Sequence, residues 1–80
     1  MINVTFSNNG NTVSKVVDES IIVGEFVEDQ GVSVGEELHV KVNARSVRYD
    51  DVFETTFEDL GYSDGDSCRV SVCVKYDNAR

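Results

Sequence analysis

His39 and Cys73 are the residues whose types could do covalent or metal chemistry in this chain. An imidazole beside a thiol can act as base and nucleophile, or supply two of the four ligands a zinc ion takes. Neither use is complete in the sequence: no third group to orient the imidazole is apparent, and zinc would still lack ligands. Asp64-Gly65-Asp66 offers the clustered oxygen ligands that hard cations want. The EF-hand calcium loop needs a glutamate about six residues after its glycine, and Ser71 stands there. Aspartate and glycine therefore read as turn formers. Acidic pairs recur at Asp18-Glu19, Glu28-Asp29, Glu36-Glu37, Asp50-Asp51 and Glu58-Asp59. Paired carboxylates do acid–base work when one is buried, but these fall in turns, loops and helix faces, where charge is solvated. Gly-rich phosphate loops, nucleophile elbows and CxxC motifs are absent. The expectation is a chain that is not an enzyme and takes no metal or cofactor.

Composition narrows the class further. Eighty residues, 40% hydrophobic and 28% charged, suit one small globular domain and are too apolar for a disordered segment. No apolar run exceeds three residues, as in Ile21-Ile22-Val23. A membrane span needs about 20 and a signal peptide about 7, so neither is expected. Fifteen acidic residues against seven basic ones leave a net charge of −8. Nucleic acid and anionic membranes repel such a chain unless its charge is segregated. Cys68 and Cys73 lie in one alternating run, where five strand residues separate them by about 16 Å. That span exceeds the roughly 7 Å a disulfide allows, and their parity sends them to opposite faces. Two free thiols fit a reducing cytoplasm.

The elements follow from periodicity. Ile2, Val4 and Phe6 alternate with polar residues, and Asn8-Asn9-Gly10-Asn11 marks a hairpin into a second strand over Thr12 to Val17. In that strand Val13 and Val17 share parity with Lys15 while Val16 opposes them, which suggests a bulge. Ser20 is a candidate N-cap for a helix whose apolar stripe is Ile22, Val23, Phe26 and Val27, with Gly31 as its stop. Leu38, Val40 and Val42 make a third strand. Asn43-Ala44-Arg45 turns into a short fourth one around Ser46 to Tyr49. Phe53, Phe57 and Leu60, spaced by four and three, suggest a helical turn or two anchoring a long connection. Tyr62 to Asp66 is a turn into a last strand with Cys68, Val70, Val72 and Val74 on one face. A helix segregated to one face of a mixed sheet is an α+β layer architecture.

Hairpin, helix, strand, short strand, connection and strand is the order of the β-grasp (ubiquitin-like) fold. Local strings resemble that superfamily as well. Ile22-Val23-Gly24-Glu25-Phe26-Val27 looks like the helix opening of the small ThiS- and MoaD-like sulfur carriers, and Val40 to Val47 resembles their strand-turn-strand. Phe57 to Asp66 is similar to the loop entering the last strand of ubiquitin-like domains. The resemblance implies a mixed four- to five-stranded sheet with one helix on one face, over residues 1–76, and a short tail at 77–80. It also implies chemistry at a C-terminal Gly-Gly, which an adenylating enzyme activates. This chain ends Tyr76-Asp77-Asn78-Ala79-Arg80 and no two of its six glycines are adjacent, so that chemistry is not carried over.

Six of the seven basic residues, all but Lys15, lie in the second half of the chain. On a β-grasp sheet, His39, Lys41, Arg69, Ser71, Cys73 and Lys75 would share the face away from the helix, with Arg45 and Arg48 near its edge. The expected function is a non-catalytic adaptor or modulator that binds a protein partner through this face. A degenerate sulfur carrier and an acidic inhibitor mimicking nucleic acid are the alternatives.

Overall fold

In a computed structural model describing residues 1–8 and 10–74, the alternating segments become strands and the 3.6-residue stripe becomes a helix. The elements run β1 (Ile2–Asn8), β2 (Asn11–Val17), α1 (Val23–Asp29), β3 (Leu38–Val42), β4 (Arg45–Val47) and β5 (Ser67–Val74), with a 3-10 turn at Glu58–Leu60. The strands form one mixed sheet in the order β2-β1-β5-β3-β4. β1 and β5 run parallel, and the other neighbours are antiparallel. This is the expected α+β class, and the order is consistent with a β-grasp.

One face of the sheet supplies Ile2, Val4, Phe6, Val40, Val42, Cys68, Val70 and Val72 to the core. Val23, Phe26 and Val27 of α1 close over them. Phe26 is the keystone, meeting Phe6 edge-on at 6.0 Å between ring centroids and Phe57 at 5.8 Å. Such geometry adds about 0.5–1.5 kcal/mol per pair beyond the area buried. Among the described residues no polar or charged side chain is buried, so hydrophobic burial supplies the cohesion. Gly24 lies on α1 directly under Phe53, and a Cβ there would sit 2.7 Å from that ring.

Four local expectations are corrected. Ser20 does not cap the helix: its N–H and hydroxyl both donate to the Asp18 carboxylate, at 2.9 and 2.8 Å. Ile22 takes the cap position without a side-chain bond. The first helical N–H groups instead donate to backbone carbonyls of the long connection, Val23 to Thr55 and Gly24 to Val52, both at 2.8 Å. No bulge interrupts β2, whose register runs unbroken from Ile2↔Val17 to Asn8↔Asn11. Lys15 simply shares the helix side at the sheet margin, where it stays exposed, while Val16 is 65% exposed on the other side. β4 is three residues, Arg45–Val47, and not Ser46 to Tyr49. Finally, the connection is anchored by Val52 and Phe57, both fully buried, whereas Phe53 remains 40% exposed. Turn bonds from Asp51 to Arg48 and from Glu54 to Asp51 curl residues 48–54, so only Phe57 and Leu60 keep the helical spacing.

The turn into β5 forms as expected. Gly65 adopts a φ of 92°, and Ser63 N–H donates to the Asp66 carboxylate. Asp64 and Glu19 both accept from the Met1 ammonium, at 2.7 and 2.8 Å, and hold its pKa up at about 10. Among the described residues no helix is long and apolar enough to cross a membrane. The domain limit at residue 76 and the tail at 77–80 lie outside the described residues.

Candidate functional site: the sheet face away from the helix

Register decides which side chains share this face. Residues directly paired across a sheet point the same way. Asn3, Thr5 and Ser7 of β1 therefore lie beside Val16, Ser14 and Thr12 of β2, and beside Ser67, Arg69 and Ser71 of β5. β3 continues the rows, with Lys41 beside Ser71 and His39 beside Cys73, and Ser46 of β4 lies beside Lys41. None of these positions holds a carboxylate, in a chain of net charge −8. Among the described residues the cations on the face are Lys41 and Arg69, both exposed. They are diagonal neighbours on adjacent strands, about 7–8 Å apart at Cα.

Asn43 fixes the end of this arrangement. Its backbone is left-handed, with φ of 55°, a conformation asparagine tolerates better than most residues. The Asn43 N–H donates to the Arg69 carbonyl at 2.6 Å, and its side-chain oxygen accepts from the Arg69 N–H at 3.0 Å. The side-chain amide also donates to the Tyr62 hydroxyl. Partial burial, with a smaller push from Cys68, raises the pKa of the Tyr62 phenol.

His39 and Cys73 are register partners and both are exposed. The Asn43–Arg69 bond sets the phase of the β3–β5 ladder, so His39 and Cys73 form a hydrogen-bonded pair with Cα atoms about 5.5 Å apart. Both cysteines are free; Cys68 is buried and Cys73 exposed, on opposite faces as parity required. Burial, then the Asp66 carboxylate, pushes the Cys68 thiol above its ordinary range. Among the described residues no cluster of three or more metal-ligating side chains forms.

The expected site residues thus divide. His39, Lys41, Arg69, Ser71 and Cys73 come together on one face. Arg45 does not join them: paired with Val42, it points to the helix side at the β4 edge and lines a shallow depression with Asn43, Leu60 and Tyr62. Arg48 follows β4 and lies 3.7 Å from Asp50, both highly exposed, a surface pair worth little. It also lines an open groove of about 580 Å³ with His39, Tyr49 and Glu36. Lys75 lies outside the described residues. The sequence reading missed the hydroxyl-rich half of the face, Thr5, Ser7, Thr12 and Ser14, although the alternation of the hairpin already carried that signal. Thr5 and Ser14 hydroxyls hydrogen-bond across the hairpin at 3.1 Å.

Compared with protein-family models, with curated proteins and with solved structures, the chain matches none of them.

Proposed function

We propose that the chain is a ubiquitin-like β-grasp interaction module that binds a protein partner non-covalently through the sheet face away from α1. The observation that carries this reading is the charge segregation. An acidic chain keeps every carboxylate off the strand positions of this face and sets Lys41 and Arg69 side by side upon it. Like charges placed together gain nothing within the domain, and they suit a partner surface that presents carboxylates. The strand order β2-β1-β5-β3-β4, with β1 and β5 parallel, supports the ubiquitin-like part of the reading. A binding role in preference to catalysis is supported by the setting of His39 and Cys73, both exposed on an open sheet. Catalytic electrostatics need a site that excludes water.

Affinity purification from the native host with the wild type and with a Lys41→Ala/Arg69→Ala variant tests the proposal. Two exposed ion pairs at about 0.2–1 kcal/mol each correspond to a loss of roughly twofold to thirtyfold in affinity. Recovery of the partner should fall accordingly, while a Lys15→Ala/Arg45→Ala variant, altered on the helix side, should retain it. Equal recovery by both variants would remove the sheet face from consideration.

A further inference from the structure

The two edges of the sheet are unlike. β4 is three residues long and is followed at once by Arg48 and the turns of the connection, one of the ways proteins blunt an edge. β2 is seven residues long, exposed along nearly its whole length and unbroken in register, and it holds no proline or carboxylate. Its backbone has groups to offer. The Asn3 N–H donates to the Asp66 carbonyl at 3.0 Å, so Asn3 directs its polar groups toward β5 and away from β2. In an antiparallel pair these orientations alternate along the strand. Thr12, Ser14 and Val16, opposite Ser7, Thr5 and Asn3, therefore turn their N–H and C=O groups outward. Among the described residues no backbone partner meets them.

We propose that this edge is a self-association site at which two copies of the chain pair β2 to β2, antiparallel, about a twofold axis through Ser14. The edge is self-complementary in that register. Ser14 faces Ser14, and each Thr12 faces Val16 of the second copy, so the three outward-facing residues of one chain meet their equivalents in the other. Each such pair exchanges two hydrogen bonds. Val16, 65% exposed in one copy, gains a β-branched cross-strand neighbour in Thr12. Lys15, the sole charge on β2, falls opposite Val13 and not opposite its own copy. Its aliphatic stem can lie along that valine, itself 42% exposed. Asp18, just past the end of the strand, falls opposite Gly10 at the uncharged hairpin tip. No pair of like charges is placed face to face, although each copy carries −8. The product is a ten-stranded sheet that sets two of the faces described above on one continuous surface. The inference rests on the backbone geometry of β2 and does not depend on the proposed function.

A strand-edge contact buries little area and belongs with weak interfaces below about 1,200 Å². Association should therefore appear between ~0.05 and ~1 mM, and should strengthen with salt as the net charges are screened. Sedimentation equilibrium read beside amide hydrogen exchange across that range is the test. The expected result is a monomer–dimer equilibrium in which the amides of Thr12, Ser14 and Val16 gain protection with concentration. Those of Val13, Lys15 and Val17, already bonded to β1, should not change. Ser14→Asp sets two carboxylates directly opposite across the axis and should weaken the dimer at least tenfold. Ser14→Pro removes an outward N–H at an edge position where proline is tolerated, and should abolish the dimer while circular dichroism stays native. A strict monomer at the highest concentration overturns the proposal. So does a dimer that survives both variants, or protection of the three amides that appears only when a different protein is added.

Discussion

Replacing Asn43 separates two contributions that the turn between β3 and β4 combines. The residue adopts a φ of 55° and bonds Arg69 and Tyr62 through its side chain. Alanine at this φ meets the left-handed penalty of roughly 1–2 kcal/mol that asparagine partly escapes, a difference of about 1 kcal/mol. Alanine also loses both side-chain hydrogen bonds. Each net bond contributes about 0.5–1.5 kcal/mol, and the lower figure applies because Asn43 is exposed and water replaces part of what is lost. The total is about 2 kcal/mol, a fall in Tm of roughly 8–16 °C for a domain of this size. Glycine loses the same bonds without the steric penalty, so Asn43→Gly should cost about half as much. Thermal and urea unfolding followed by circular dichroism measures both. Equal losses in the two variants would refute the argument from backbone strain, and no loss in either would refute the argument from the bonds.

Other outcomes follow from the packing and the titratable groups. Gly24→Ala forces the Phe53 ring aside, because the new Cβ would lie 2.7 Å from it, so the change should be neutral or destabilising in the wild type. In a Phe53→Ala background the same change should stabilise by up to about 1 kcal/mol, the ordinary helical gain of alanine over glycine. A double-mutant cycle by urea unfolding reads that reversal of sign. Phe26→Leu removes both edge-to-face contacts and should cost about 1–3 kcal/mol; calorimetry showing a smaller loss would deny Phe26 its central place. Thiol titration of the native protein should find Cys73 at once and Cys68 only on unfolding, since the latter is buried with a raised pKa. Asp18 is held below its ordinary pKa by the backbone N–H and then the hydroxyl of Ser20. Its contribution is therefore present above the unfolded carboxylate value near 3.8 and is lost as pH falls through the lower folded one. Asp18→Asn should flatten the acid limb of a stability–pH curve, and an unchanged limb would count against the Ser20 contacts.

The sheet was legible because burial on one side writes itself into strict alternation. Ile2, Val4 and Phe6 and the run Cys68, Val70, Val72 are core residues in the structure as in the sequence. The same alternation located His39, Lys41, Arg69, Ser71 and Cys73 on one face, since parity alone decides it. What escaped was settled by distant backbone. Ser20 looked like a cap because its type and place were right, but cap geometry depends on where residues 52–55 run. Arg45 reads in the sequence as lying near the edge of the basic face, but the register of a three-residue strand turns it to the helix side. Lys15 suggests a bulge, yet a regular edge strand carries it on the helix side, where it stays exposed at the outer margin of the sheet.

The carbonyls that receive the first N–H groups of α1 bind the fate of the helix to chain made about thirty residues later. At seven residues, α1 has too few internal bonds to persist alone, and its start is completed by Val52 and Thr55. A nascent chain that ends before the connection carries the hairpin sequence but no stable helix, and the apolar stripe of α1 stays uncovered at least until residues 52–55 follow. Folding is accordingly late and dominated by non-local closure, on the slow side for so small a protein. Conversely, a single protease cut between Asp50 and Glu54 would loosen the chain that carries the Val52 acceptor, and hydrogen exchange of the cut protein should find the α1 amides opening before those of β1 and β5. The connection is thus the clasp on which the order of assembly and of breakdown both turn.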